Sequence, residues 1–168
     1  RIASRIDDRY QLVAGALSSD PQRALASAAE LGIDADRSYS SFKEMAEKER
    51  ERTDGIDVVT IVTPNHLHVD AAVAFLDAGI HVICDKPLST SQVEGLRIKK
   101  SLQTSSAKFF LTHNYTGYPL IREARDMITQ GKLGRIRVIQ VEYAQDWLSE
   151  PLEAAQQKQA SWRTDPDI

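Results

Sequence analysis

Polar side chains that could bind or activate a small molecule follow four short apolar stretches of the sequence. They are Ser18 and Ser19, then Thr63, Pro64 and Asn65, then Asp85, Lys86 and Pro87, and finally His113, Asn114 and Tyr115. The ammonium group of Lys86 can polarise a hydroxyl and stabilise negative charge that develops on its oxygen. Because ligands of α/β domains bind beyond the carboxyl ends of parallel strands, we expect one binding crevice where these stretches end.

The four apolar stretches predict the strands of a parallel sheet. They are residues 11–17 (QLVAGAL), 56–63 (IDVVTIVT), 80–84 (IHVIC) and 107–113 (AKFFLTH). Strands that are buried on both faces have near-continuous apolar runs, and the helical segments between them supply the crossovers of a parallel sheet. The alternation therefore predicts a doubly wound α/β domain.

Helix start and stop signals separate the four stretches. Asp20 and Pro21 form an N-cap and first-turn pair, and a serine precedes a glutamate by three residues at Ser41 and at Ser91, as in a capping box. The alternating charges of the EMAEKERER segment indicate a solvated helix face. The first two predicted helices run from Pro21 to about Leu31 and through EMAEKERER after Ser41. The next two run from His66 to Ala78, after a cap at Pro64 and Asn65, and from Ser91 to about Ser105. A fifth helix ends at Gly131 and has one apolar face formed by Leu120, Ile121, Ala124, Met127 and Ile128.

A change of pattern near residues 113–119 predicts a domain boundary. Residues 135–143 (RIRVIQVEY) alternate charged or polar with apolar residues, which is typical of a strand with one solvated face. We therefore expect one domain over residues 1–113 and the beginning of a second over residues 114–168. Residues 1–9 have the pattern of the last turns of an amphipathic helix, and the sequence stops near a turn-like Asp-Pro pair, so we expect further chain on both sides.

Composition excludes several classes of protein. The 168 residues are 42% hydrophobic and 27% charged with a net charge of −3, which argues against disorder and against nucleic acid or membrane partners. The single cysteine, Cys84, excludes an intrachain disulfide and is expected to be a core residue of a cytoplasmic protein. His66 and His68 face apart on a helix, so we expect no metal site. No apolar run reaches the roughly 18 residues that span a bilayer.

Five segments, taken in order, carry a resemblance to a known family. They are TPNHLH at 63–68, HVICDKPLS at 81–89, HNYTGYP at 113–119, QGKLGRI at 130–136 and WR at 162–163. Together they resemble the Gfo/Idh/MocA oxidoreductases, which typically have Glu-Lys-Pro where this sequence has Asp85, Lys86 and Pro87. The resemblance implies a Rossmann-like cofactor domain that ends near residue 113. It also implies an α+β substrate domain with a mostly antiparallel sheet that begins near Arg135.

The resemblance implies roles for individual residues. Lys86 would contact the substrate and donate a hydrogen bond to the reacting hydroxyl, whereas Tyr115 and Tyr118 would either bind substrate or serve as packing groups. The cofactor contacts implied are Thr63, Pro64, Asn65 and His68 at the ribose and phosphates, Asp85, Lys86 and Pro87 beside the nicotinamide ribose, Asn114 near the nicotinamide, and Trp162 with Arg163 closing over the cofactor.

The choice between NAD and NADP depends on Ser18, Ser19 and Arg23. An acidic residue at the end of the second strand of such a domain binds the ribose 2′-hydroxyl of NAD, whereas small polar and basic groups accommodate the 2′-phosphate of NADP. Asp20 is the acidic candidate, but its position predicts a helix cap. The sequence leaves both cofactors open and favours NADP.

Two parts of the family's machinery do not occur in these 168 residues. One is the glycine-rich turn after a central first strand, which binds the pyrophosphate, and the other is a downstream histidine that acts as general base. Without the first strand, residues 11–17 and 56–62 each lack a pairing partner. We therefore expect the isolated chain to be unstable or oligomeric, and inactive.

The resemblance implies an NAD(P)-dependent dehydrogenase that oxidises a secondary hydroxyl of a sugar, cyclitol or polyol, of which this chain is a part. Two alternatives remain open. One is a glycosidase of the same fold that uses bound NAD for transient oxidation, and the other is a non-catalytic dinucleotide-binding or assembly module. The family's tendency to pair through its substrate sheet implies a dimer or tetramer.

Overall fold

A computed structural model describes residues 6–144, 146, 149–152, 154 and 160 of the chain. The chain divides into two compact units, Arg1–Leu111 and Thr112–Ile168. The first unit holds nearly all of the sheet and four of the α-helices described below, and the second begins at the last residue of the third strand.

The first unit is built around a three-stranded sheet. Its strands are β1 (Val58–Ile61), β2 (His81–Asp85) and β3 (Phe109–Thr112), in the order β1-β2-β3. Strands β1 and β2 are parallel, in a register that places Val58 opposite His81 and Ile61 opposite Cys84. The amide of Val82 donates to the carbonyl of Lys108, at 2.9 Å, beside the start of β3. The predicted parallel α/β arrangement is confirmed in these three strands.

Five α-helices occur among the described residues. Asp20 caps the first helix by accepting hydrogen bonds from the amides of Gln22 and Arg23, and Gly32 ends it in a left-handed conformation with φ of 72°. Ser41 and Ser91 cap the second and fourth helices, as predicted. The helices are α1 (Pro21–Leu31), α2 (Phe42–Glu51), α3 (His68–Asp77), α4 (Gln92–Thr104) and α5 (Pro119–Thr129). None of the described helices combines the length and the apolar character required to cross a membrane.

The hydrophobic core of the first unit lies between α3 and the sheet. Phe75 and Leu76 of α3 are almost completely buried, as are Val82 and Cys84 of β2. Burying large apolar side chains on both elements contributes roughly 1.5–3 kcal/mol for each residue. This packing fixes the first turn of α3 relative to the carboxyl ends of β1 and β2.

The strand predicted over residues 11–17 is not formed. A single parallel bridge links Gly15 to Ser38: the Gly15 amide donates to the backbone carbonyl of Arg37, and the Tyr39 amide donates to the Gly15 carbonyl. A strand requires a ladder of such bonds along a partner, and one bridge is too short to form it. The apolar side chains of Leu12 and Leu17 are accordingly exposed.

The predicted start of the helix after β1 is also wrong. Asn65 does not cap it; instead residues Asn65–Leu67 form a 3₁₀ turn, closed by the amide of Leu67 on the carbonyl of Pro64 at 3.0 Å. Because this turn takes up the residues just after Pro64, the α-helix begins at His68.

The charged segment of α2 is not a fully solvated face. Glu49 is 1% exposed and accepts hydrogen bonds from Arg37, from the hydroxyl of Tyr39 at 2.7 Å and from the amide of Ile56 at 3.0 Å. Arg37 is buried as well. Glu49 lies four residues after buried Met45, which places both on the inner face of the helix. This buried network connects α2 to the segments on either side of it.

In the second unit, the strand predicted over residues 135–143 is not formed either. These residues form neither helix nor strand, and the side chains of Val138 and Val141 are more than 80% exposed. Alternating polarity stabilises a strand only when a partner strand pairs with it, and beyond Thr112, the last residue of β3, no strand is found among the described residues of this unit. Helix α5 matches the prediction, but none of its residues is buried.

Candidate functional site

The carboxyl ends of β1 and β2 form one edge of the sheet. Ile61 and Cys84 are the last paired residues of the two strands. Thr63 and Lys86 each lie two residues beyond these positions, so the backbone leaves the sheet at the same edge after both strands. The predicted convergence of these two strand ends is present in the structure.

His68 joins the two chain segments that leave this edge. Its side chain is 1% exposed, with Nδ1 2.7 Å from the carbonyl oxygen of Pro87 and Nε2 2.9 Å from that of Thr63. The two contacts connect the backbone at Thr63, after β1, with the backbone at Pro87, after β2.

The side chains around this junction differ in exposure. Lys86 and Asp85 are exposed, whereas Pro64, Asn65 and Pro87 are half-buried. The hydroxyl oxygen of Thr63 is shielded from solvent and has no hydrogen-bond partner among the described residues. The ammonium, hydroxyl and amide that follow these two strand ends are groups able to donate hydrogen bonds to sugar hydroxyl and phosphate oxygens.

A second group of predicted residues lies at the start of α1. The amide of Asp20 donates to the Ser18 hydroxyl at 3.1 Å, and the Asp20 carboxylate accepts from the amides of Gln22 and Arg23 at 2.9 and 3.1 Å. The prediction that Asp20 caps this helix is therefore confirmed. Ser19 and the Arg23 side chain are exposed to solvent beside it.

The second unit contains the remaining predicted residues. Asn114 lies in a 3₁₀ turn, Asn114–Gly117, and is exposed. The hydroxyls of Tyr115 and Tyr143 are 2.8 Å apart, and the Tyr118 ring packs edge-on against Tyr115 at 5.5 Å. The hydrogen bond with Tyr143 raises the pKa of Tyr115. Trp162 and Arg163 lie outside the described residues.

Cys84 does not supply a nucleophile at this edge. Cys84 is fully buried, and its burial, with a smaller contribution from the charge of Asp85, raises the pKa of the thiol to about 11. A thiol with so high a pKa is a poor nucleophile at neutral pH, which fits the predicted core role. Within the described part of the chain, no group of three or more potential metal-ligating side chains occurs.

The role of His68 was only partly predictable. The sequence placed it near the edge because it follows Pro64 by four residues, and it was expected to line the cofactor. In the structure its ring lies between two backbone segments that are 24 residues apart, at Thr63 and Pro87. No local spacing rule encodes such a contact, because it depends on where two distant backbone carbonyls lie in the folded chain.

Comparison with known proteins decides the family. The pattern of the Gfo/Idh/MocA family, described as "Oxidoreductase family, NAD-binding Rossmann fold", matches residues 3–113. This chain belongs to that family. The match covers β1, β2, β3 and the His68 junction, so the Gfo/Idh/MocA pattern and the observed edge coincide.

Individual Gfo/Idh/MocA relatives are similar over much of the chain. The uncharacterized oxidoreductase YfiI of Bacillus subtilis (strain 168) is 38% identical over 170 residues, which is 99% of this chain and 42% of YfiI. The crystal structure of an oxidoreductase from Sinorhizobium meliloti is 57% identical with a TM-score of 0.84, and covers 88% of this chain and 42% of its own.

An inositol dehydrogenase homolog from Azotobacter vinelandii has been solved with two sets of ligands. Its complex with NAD+ has a TM-score of 0.92 at 36% identity and covers 98% of this chain and 42% of its own. Its complex with NADH and myo-inositol has a TM-score of 0.81 at 37% identity, with 88% and 39% covered. The chain thus spans about two fifths of each of these relatives.

Proposed function

We propose that the protein is an NAD(P)-dependent dehydrogenase that transfers a hydride between a nicotinamide cofactor and a secondary hydroxyl of a sugar, cyclitol or polyol. The observation that carries this proposal is the junction at the end of β1 and β2, where His68 bonds both Thr63 and Pro87 and Lys86 is exposed between them in the chain. The structure of the Azotobacter vinelandii homolog with NADH and myo-inositol supports the cofactor and the substrate class.

The residues at this edge fit a nicotinamide dinucleotide. The unpartnered Thr63 hydroxyl, the half-buried Asn65 amide and the exposed Lys86 ammonium offer donors to ribose and phosphate oxygens. We assign Thr63, Pro64 and Asn65 to the ribose and phosphates, and Asp85, Lys86 and Pro87 to the nicotinamide ribose. When bound, the cofactor supplies the hydride acceptor, or the donor in the reverse reaction.

Lys86 has the central part in the proposed mechanism. Its ammonium donates a hydrogen bond to the substrate hydroxyl and stabilises the negative charge that develops on that oxygen as hydride leaves the carbon. The hydroxyl proton passes to a general base, for which the family resemblance implies a histidine that these 168 residues do not contain. Lys86 thus positions and polarises the substrate, and proton removal belongs to another group.

We assign the remaining predicted residues on the same basis. Residues 1–113 are proposed to form part of the cofactor domain and residues 114–168 the beginning of the substrate domain of a cytoplasmic dimer or tetramer. The buried free thiol of Cys84 supports a reducing compartment. The proposed further contacts are Asn114 with the nicotinamide, Tyr115 and Tyr118 with the substrate, and Trp162 and Arg163 with the cofactor.

Reduction of the cofactor by polyols tests the proposed function. Myo-inositol is bound by the Azotobacter vinelandii homolog, and levoglucosan and D-xylose are named as substrates of two similar dehydrogenases. We expect the complete gene product to reduce NAD+ or NADP+, measured by absorbance, with at least one of these three compounds. Saturable NADH binding without turnover of any of the three would instead favour a non-catalytic binding module. Cleavage of an aryl glycoside without release of reduced cofactor would favour the glycosidase.

The cofactor preference is proposed to depend on Arg23. The exposed guanidinium, together with the hydroxyls of Ser18 and Ser19, would bind a 2′-phosphate, because the Asp20 carboxylate is engaged in capping α1. We therefore expect NADPH to bind more tightly than NADH. Replacing Arg23 by alanine should weaken NADPH binding about 10-fold to 100-fold, which corresponds to the loss of one charge-assisted hydrogen-bond pair.

Titrations followed by nicotinamide fluorescence measure this effect on both cofactors. The affinity for NADH should stay nearly constant in Arg23→Ala. Arg50→Ala, which removes an exposed arginine from α2, serves as the matched control. Tighter binding of NADH than of NADPH by the unmodified protein would contradict the NADP assignment.

A further inference from the structure

We propose that His68 is a positioning residue that ties the two cofactor-binding turns together, and that it does not itself contact the cofactor. The inference deepens the proposed function and rests on it. It replaces the role that the family resemblance implied for His68, which was to line the ribose and phosphates.

The geometry leaves the ring no capacity for a cofactor contact. Nδ1 and Nε2 are the two polar atoms of an imidazole, and each already lies within 2.9 Å of a backbone carbonyl. The side chain is also 1% exposed, so the ring face is covered. A ligand at this edge would meet the residues that His68 holds, and not His68.

The two carbonyls belong to the residues that matter most at this edge. Pro87 directly follows Lys86, so a bond to its carbonyl restrains the backbone that carries the ammonium group. Thr63 directly precedes Pro64 and Asn65, so a bond to its carbonyl restrains the turn assigned to the ribose and phosphates. One ring therefore fixes the substrate-activating group relative to the cofactor-binding turn.

The ring is itself anchored to the core. His68 is the first residue of α3, and the adjacent Val69 and Ala72, one turn further on, are 3% and 0% exposed. The packing of α3 against the sheet therefore sets the position of the ring. A precisely held group of this kind matters for hydride transfer, because misplacement by about 1 Å can cost about 100-fold in rate.

Two amide variants separate the two bonds. In His68→Asn the side-chain nitrogen can take the place of Nδ1 and keep the bond to Pro87, and in His68→Gln it can take the place of Nε2 and keep the bond to Thr63. In the complete gene product we expect His68→Asn to raise the KM for cofactor about 10-fold with little change in kcat. We expect His68→Gln to lower kcat about 10-fold with little change in that KM.

The control is His66→Asn, which changes an exposed histidine of the same segment and should leave both constants unchanged. The proposal is refuted if His68→Asn and His68→Gln change kcat and the KM for cofactor in the same way, or if neither variant changes them. Circular dichroism and thermal unfolding show whether each variant folds. If a variant does not fold, the nitrogen NMR experiment on the wild-type protein decides the question.

Nitrogen NMR of the histidine side chains tests the tie without mutation or turnover. In the complete gene product we expect the signals of both His68 ring nitrogens to hardly move when NADH is added, because neither nitrogen meets the cofactor. A large shift of either signal on NADH addition would overturn the proposal. Absence of cofactor reduction with all three polyols, with the NMR result as expected, would overturn the dehydrogenase assignment and leave the structural tie intact.

Discussion

Replacement of Lys86 by alanine in the complete gene product is expected to lower kcat about 100-fold to 1,000-fold, the usual effect of removing one donor that stabilises developing oxyanion charge. Lys86 is exposed at the end of β2, where its ammonium can reach a bound hydroxyl. The dissociation constant for NADH should change far less, because the other residues of the edge remain. Stopped-flow or steady-state cofactor reduction and fluorescence titration measure the two quantities separately.

Three further variants define the chemistry that Lys86 supplies. Lys86→Met keeps most of the side-chain length without the charge, so it should be as impaired as Lys86→Ala. Lys86→Arg keeps the charge but spreads it over a planar group, so it should recover only part of the rate. Lys100→Ala, at an exposed position of α4, should retain wild-type activity. A wild-type kcat in both Lys86→Ala and Lys86→Met would contradict a catalytic role for Lys86 and leave it only a structural role in the turn.

The largest effect on stability is expected at Glu49. Replacing Glu49 by alanine leaves the Arg37 guanidinium, which is 6% exposed, without its buried carboxylate partner, and only the exposed Asp54 carboxylate, 3.7 Å away, remains paired with it. Breaking a buried ion pair from one side costs about 3–5 kcal/mol. We therefore expect the free energy of unfolding, measured by urea denaturation of the complete gene product, to fall by about that amount in Glu49→Ala.

Two controls separate the buried charge from the loss of side-chain volume. Glu47→Ala removes an exposed carboxylate from the same helix and should change stability by less than about 0.5 kcal/mol. The double variant Arg37→Met with Glu49→Leu removes both charges and should be much more stable than Glu49→Ala, since apolar pairs of similar volume can replace buried ion pairs. Equal loss in the single and the double variant would contradict this explanation.

The same carboxylate should make stability depend on pH. Burial alone raises the pKa of Glu49, but the hydrogen bonds that Arg37 and Tyr39 donate outweigh it, so the pKa lies below its usual value of 4.5. A lowered pKa means that the stabilisation is complete above pH 4.5 and is lost as the pH falls through the folded-state pKa. The difference in unfolding free energy between wild type and Glu49→Ala should therefore shrink in acid.

The parts of the fold that sequence predicts well are those in which a local signal is sufficient. Asp20, Ser41 and Ser91 each cap the helix that their spacing to the following residues predicts. The strands β1 and β3 lie within their predicted apolar stretches, and β2 extends one residue beyond its own, to Asp85. Because parallel strands end at a common edge, the proximity of the Thr63 and Lys86 turns was also predictable.

The parts that sequence predicts poorly depend on a distant partner. Residues 11–17 and 135–143 have the composition of strands, but a strand forms only where another strand supplies a ladder of hydrogen bonds. Glu49 lies in a run of charges whose pattern is that of a solvated helix, and its burial depends on Arg37, twelve residues earlier. The two bonds of His68 likewise depend on the folded positions of two backbone carbonyls.

The single bridge between Gly15 and Ser38 has a consequence for local opening. Arg37 and Tyr39, which flank Ser38, bond Gly15 through their backbone and Glu49 through their side chains. Arg37 and Tyr39 thus connect the segment that leads to Ser18 with Glu49 on the buried face of α2. The segment from Gly15 to Ser18 and helix α2 should therefore open as one cooperative unit. Hydrogen exchange at the Gly15 and Tyr39 amides should accordingly become faster when the buried ion pair is removed.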